Sequence, residues 1–165
     1  MDVSVLPSHM RPLQWLLGKW EAKNGEGLSS TGEPFKYTEK VEFSNIGQPV
    51  INYTATSFDA GNGTLMHMES GFIRCHPESR KIAFTTAHKF GAAMVEEGYI
   101  NEDGNEIILE SLQISTMSFA EVPTVMQTKR VYRKKNDEME YIFSMATAKA
   151  PEIQAHLHVI YKRCD

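Results

Sequence analysis

The sequence predicts an all-β fold, an antiparallel up-and-down β-barrel of about ten strands with a short N-terminal helix. Three observations carry this. Apolar residues alternate with period two through most of the chain after Gly18. Clusters of turn-forming residues interrupt the alternation at intervals of about ten residues. Only one short segment, ahead of Gly18, has helical spacing.

The elements follow in order. Residues 1–9 are expected to be a flexible N-terminus, leaving 10–165 as one barrel domain. Ser8 is a candidate cap for a helix carrying Leu13, Trp15, Leu16 and Leu17, with Gly18 as its stop. Phe35, Tyr37, Val41 and Phe43 share one parity, and Glu39 sits among them at that same parity. Ile51, Tyr53 and Ala55 repeat the pattern, and Phe72, Ile82 with Phe84, and Val95 with Tyr99 continue it. Gly61-Asn62-Gly63, His76-Pro77-Glu78-Ser79, Glu102-Asp103-Gly104-Asn105 and Lys135-Asn136-Asp137 mark turns between strands. There is no internal repeat and no linker that would divide the chain. A barrel of more than about eight strands is wider than its own side chains fill, so a ligand cavity is expected.

Composition narrows the function. The chain has 165 residues, 41% hydrophobic and 23% charged, with a formal net charge of −4. One domain of that size can bury a core or enclose a cavity. The densest basic segment, Lys129-Arg130 to Arg133-Lys134-Lys135, alternates with Val131 and Tyr132 and reads as an exposed strand face, so no nucleic-acid partner is expected. No window approaches the roughly 20 apolar residues that span a bilayer, and no secretory signal is visible. Cys75 and Cys164 form neither a framework nor a CxxC pair. The chain is therefore expected to be cytoplasmic, or nuclear as well, with no membrane partner, as a monomer or homodimer.

Motifs for serine nucleophiles, phosphate-binding glycine loops and HExxH zinc sites are absent. Glu96-Glu97 and Glu138/Glu140 read as solvated strand ends rather than catalytic carboxylates. The histidines remain, above all His156-Leu157-His158 in the last strand-like segment. On a regular strand both imidazoles share one face. Three readings are open: a non-haem metal pair assisted by His67 with Glu69, His76 or His88; one haem ligand beside one surface histidine; or two ordinary strand residues.

Gly18-x-Trp20 resembles the start of lipocalin and fatty-acid-binding barrels. Further segments are more specific. Pro34–Tyr53, Met66–Arg74, Lys81–Phe84, Val95–Gly98, Ser144–Thr147 and His156–Lys162 together resemble the nitrobindin family, in consistent order over nearly the whole chain. The resemblance implies a ten-stranded barrel holding haem b in one open mouth, with His156 as proximal axial ligand to ferric iron. It places Thr31, Met66, His67, His88 and Met145 around the haem, His67 as a distal hydrogen-bond donor at most. No side chain is then a catalytic nucleophile; the haem iron carries the chemistry. The implied activity is isomerisation of peroxynitrite to nitrate, with nitric oxide as a further ligand. No zinc-finger segment precedes the match, so DNA binding is not implied. The family's GxWxGxG pattern departs here, since Ala22 and Asn24 replace its later glycines, and Gly25 or Gly27 would have to serve instead. A nitric-oxide carrier on the same haem, or a haem-free lipid carrier with Arg74 or Arg130 turned inward, are the other readings.

Overall fold

The computed structural model describes residues 5–164. Ten antiparallel strands close into a barrel: β1 (Gly18–Leu28), β2 (Pro34–Ser44), β3 (Ile51–Asp59), β4 (Leu65–Cys75), β5 (Lys81–His88), β6 (Ala92–Ile100), β7 (Glu106–Thr116), β8 (Val125–Lys135), β9 (Glu138–Thr147) and β10 (Gln154–Arg163). Each strand pairs with its sequence neighbours, and β10 closes onto β1. The four predicted turn clusters all fall between strands. At the β8–β9 turn Asn136 has φ 55°, a left-handed conformation that asparagine tolerates well.

The helix lies where the sequence places it, but it is a 3₁₀ segment, Ser8–Leu16, preceded by Pro7 and without a side-chain cap. Ser8 is thus its first residue rather than its cap. Leu6, Met10, Leu13 and Leu16 are fully buried, and the Leu6 amide donates to Gln14 Oε1. The expected flexible N-terminus is therefore corrected for Leu6 to His9, because Leu6 has a core site to fill; residues 1–4 lie outside the described residues. Trp20 Nε1 donates to the Leu16 carbonyl at 2.8 Å and ties the helix to β1. The helix covers the end of the barrel that carries the β4–β5 and β6–β7 turns.

Inward parity is correct for β2, β3 and β5 and wrong in two strands. Phe72 is exposed because Ile73 takes the inward position on β4. Val95 and Tyr99 face outward, while Met94, Glu96 and Ile100 face the core. On both strands a lone aromatic on the outer face imitates the inward pattern. Glu96 and Arg130 correct two further readings, since both are completely buried rather than solvated.

Two bulges matter for function. β1 carries one extra residue relative to both neighbours between Ala22 and Gly25. β10 carries one between Ala155 and Leu157 relative to β9, at His156. An extra residue reverses the facing of what precedes it.

Candidate functional site

The bulge decides the fate of the histidine pair. Beyond it, Leu157, Val159 and Tyr161 face inward, and His158 and Ile160 face out. A regular strand would send His156 out with His158. The extra residue instead turns the His156 ring between Phe35 and Phe143, with centroid separations of 5.7 and 6.2 Å. His158 stays outside, where its Nε2 lies 3.1 Å from Glu140 Oε2.

His156 Nδ1 lies 2.5 Å from the Leu28 carbonyl on β1. A carbonyl only accepts, so Nδ1 carries the proton and Nε2 presents its lone pair. Burial pushes the imidazole pKa down, against the pull of the Leu28 hydrogen bond, so the ring is neutral near pH 7. A neutral ring with a fixed tautomer and a free Nε2 is the form that ligates a metal.

His156 lines a cavity of about 540 Å³ at the end of the barrel opposite the helix. Met66, His67, His88 and Met145 line it too, so five of the six residues singled out from the sequence converge here. Thr31 does not. It sits exposed in the β1–β2 turn, 3.0 Å from Ser29 Oγ, while its neighbours Ser29 and Ser30 reach the cavity. Phe35, Phe90, Met94, Phe143 and Leu157 give the walls an apolar character.

The altered glycine pattern is resolved on β1. A Cβ on Gly25 would lie 2.7 Å from the Tyr37 ring, and one on Gly27 would lie 2.2 Å from Phe35. The β1 bulge moves the glycine requirement to these positions, where two cavity-lining rings lie flat against bare backbone. The Tyr37 hydroxyl is buried in the cavity lining without a hydrogen-bond partner, a vacancy suited to a polar group on a bound molecule. The lone-pair imidazole, the apolar walls and this orphan hydroxyl fit a large, flat, mostly apolar cofactor with polar edges.

The cavity floor is charged. Arg130 Nε and Nη2 donate to Glu96 at 3.0–3.2 Å, and Nη1 donates to Glu69 Oε1 at 3.2 Å and to the Tyr141 hydroxyl at 3.1 Å. Tyr53 donates to Glu69 Oε1 at 2.7 Å. Burial alone would raise the Glu69 carboxyl, but Arg130 and the adjacent histidines hold it well below the usual carboxylate range. Above the floor, Tyr161 donates to Glu39, whose carboxyl burial pushes up to about 7. His88 is pushed down to about 4 by burial, against the pull of Glu69. Arg130 thus does turn inward, but its donors are taken up by Glu69, Glu96 and Tyr141, and Arg74 points out. A lipid carboxylate finds no unengaged guanidinium here.

Sequence reasoning missed Tyr37 as a site group and reached Arg130 only as the inward anchor of a haem-free lipid carrier. Glu39 and Glu69 were visible, one as an acid at inward parity and one beside His67. Arg130 left only a weak trace, its alternation with Tyr132 on one strand face.

A family model described as "THAP4-like, heme-binding beta-barrel domain" matches residues 9–163. The chain is 41% identical over 156 residues to the rat and human proteins named peroxynitrite isomerase THAP4, and that match is 93% of the chain. It spans about a quarter of those proteins' length, 27% and 26%. It is 34% identical to an Arabidopsis thaliana protein named peroxynitrite isomerase Rv2717c, over 90% of the chain and 85% of the relative. The crystal structure of Rv2717c from M. tuberculosis superposes with a TM-score of 0.85 at 29% identity, covering 98% of this chain and all of that one.

Proposed function

The chain belongs to the family of THAP4-like heme-binding β-barrels, and on that premise we propose that it holds haem b through His156 Nε2 and isomerises peroxynitrite to nitrate at ferric iron. The observation that carries this reading is the His156 tautomer, fixed by the Leu28 carbonyl at the wall of the large cavity. Ferric haem held by His156 would supply a Lewis-acidic iron, the chemistry that peroxynitrite rearrangement and nitric-oxide binding call on.

The chain's own residues hold, orient and exclude water. The Leu28 carbonyl fixes the His156 ring and makes Nε2 more basic. Phe35 and Phe143 clamp that ring from two sides. Met66, Phe90, Met94 and Met145 supply apolar walls, and the Tyr37 hydroxyl offers a donor to a polar edge. His67, partly exposed at the cavity wall, is placed to donate a hydrogen bond to a small oxyanion. No nucleophile is needed. The relatives named peroxynitrite isomerase support this reaction.

Titration of the protein with haemin tests the reading. A ferric Soret band should form at one haem per chain, and His156→Ala should abolish or strongly weaken it and slow peroxynitrite decay with loss of nitrate yield. Unchanged haem binding and decay in His156→Ala would rule out the ligand assignment. Reversible nitric-oxide release without accelerated nitrate formation would instead make the protein a carrier.

A further inference from the structure

We propose that His67, Glu69 and His88 form a second site, a tridentate pocket for one divalent first-row transition ion, distinct from His156. His67 and Glu69 lie two residues apart on β4 and share its inner face, and Glu69 is the direct cross-strand partner of His88 on β5. Strand pairing alone therefore brings two imidazoles and a carboxylate to one point of the wall.

The spacing suits a metal. Glu69 Oε2 lies 3.1 Å from His88 Nδ1 and 4.0 Å from His67 Nε2, and the two imidazole nitrogens lie 3.4 Å apart. Zinc-type bonds of about 2.0–2.2 Å in tetrahedral array place ligand atoms roughly 3.3–3.6 Å apart. Two edges of the triangle are already close to that, and the third closes by about 0.6 Å. His67 is the ligand free to make that move, because its side chain is 30% exposed while Glu69 and His88 are fixed in the core.

The surroundings orient the donors. Thr86 Oγ1 lies 2.8 Å from His88 Nε2, which turns Nδ1 toward the other two ligands. Tyr53 and Arg130 Nη1 hold Glu69 Oε1, leaving Oε2 to face the histidines. Such hydrogen bonds to the outer atoms of ligands are what functional metal sites carry. Phe90 stacks on His67 at a centroid distance of 5.6 Å and lies tilted against His88 at 5.2 Å, placing an apolar ring beside both imidazoles.

Charge argues the same way. Among the described residues Arg130 is the one buried arginine or lysine, and it faces two buried carboxylates, Glu69 and Glu96. It reaches both, Glu96 at 3.0–3.2 Å and Glu69 at 3.2 and 3.4 Å, so one positive charge is shared between two negative ones. The wall beside His67 and His88 thus keeps negative charge that a divalent ion would balance. Two imidazoles and one carboxylate leave coordination positions open toward the cavity, and this donor set suits zinc or ferrous iron. The three ligands sit on β4 and β5 and His156 on β10 of the same cavity, so metal binding can be read in the haem-free chain whether or not the haem reading holds.

The test uses Co(II) and Zn(II) with the full chain, haem-free and haem-loaded. Co(II) should bind at one per chain with the visible d–d bands of a low-symmetry nitrogen–oxygen site, and Zn(II) should displace it and raise the melting temperature. His67→Gln and His88→Gln should each weaken binding at least tenfold, and His156→Ala should leave it intact in haem-free protein. Circular dichroism and melting curves identify variants that fold. Should a variant not fold, diethylpyrocarbonate protection of the partly exposed His67 by Zn(II) in the wild-type chain replaces it. Absence of stoichiometric binding, binding that survives both folded variants, failure of Zn(II) to protect His67, or loss of binding in His156→Ala would overturn the proposal.

Discussion

At the helix end of the barrel, Phe43, Tyr53, Phe84 and Tyr132 interlock, with ring centroids 4.8–5.8 Å apart, and Leu6, Met10, Leu13 and Leu16 close over them. At the mouth β4, β5, β6 and β9 present Met66, His67, His88, Met94 and Met145, and no described residue fills the space between them. Ten strands enclose more room than one layer of side chains can occupy. This chain concentrates its aromatic packing at one end and separates the two ends with the Glu69–Arg130–Glu96 layer. The difference teaches where each end gets its rigidity. The closed end is held by packing, whereas the mouth is held by backbone pairing and a buried charge network that fixes side chains around an unfilled volume.

Removing the dividing layer should break the comparison most severely. Arg130→Met leaves Glu69 and Glu96 buried without their cation, at a cost of about 3–5 kcal/mol. Urea unfolding should show that loss together with impaired haem binding, because floor and cavity share Glu69. Leu13→Ala acts on the closed end alone. A fully buried leucine truncated there should cost about 3 kcal/mol. The haem Soret band of the folded fraction should stay unchanged, and a shift in it would mean the ends are coupled.

The same contrast governs how much could be read in advance. Strand number, turns and the helix followed from period-two alternation and turn residues, since those patterns are local. The inner faces of β4 and β6 did not, because Phe72, Val95 and Tyr99 are outward apolar residues that copy an inward signature. His156 could be named from the family resemblance, yet its inward aim depends on a bulge, which a single sequence does not mark. The Leu28 carbonyl that orients it comes from a strand 128 residues away. The partners of Arg130 were hidden for a related reason. A basic residue among Lys129, Arg133 and Lys134 looks solvated until the carboxylates facing it are located on β4 and β6.

Acidity gives a finer probe of the mouth. Glu39 holds its proton in the folded state up to about pH 7, against about 4.5 when unfolded, through burial opposed by Tyr161 and Arg130. The folded state therefore binds more protons in that window, and stability contributed by this group falls as pH rises through it. His88 behaves oppositely. Its folded pKa of about 4 lies below the unfolded 6.5, so stability rises with pH between those values. Glu39→Gln should remove the loss and raise stability at pH 8 by about 3 kcal/mol relative to pH 4. The remaining slope between pH 4 and 6.5 should then be positive. A flat profile in both wild type and Glu39→Gln would show that these groups titrate normally.

The smallest expected effect isolates the site most sharply. His158 is two residues from His156, yet it lies on the outer face in a half-exposed pair with Glu140. Exposed pairs of this kind contribute no more than about 1 kcal/mol. The Glu140 carboxyl, held low first by His158 and then by Arg133, keeps Arg133 and Lys135 as partners once the imidazole is gone. His158→Ala should therefore shift stability by less than about 1 kcal/mol, with haem affinity and peroxynitrite decay at wild-type values. A spectrum altered as strongly as in His156→Ala would mean that the β10 bulge lies one residue away and that the two imidazoles exchange roles. Equal and negligible effects of both substitutions would remove the last strand from the site altogether.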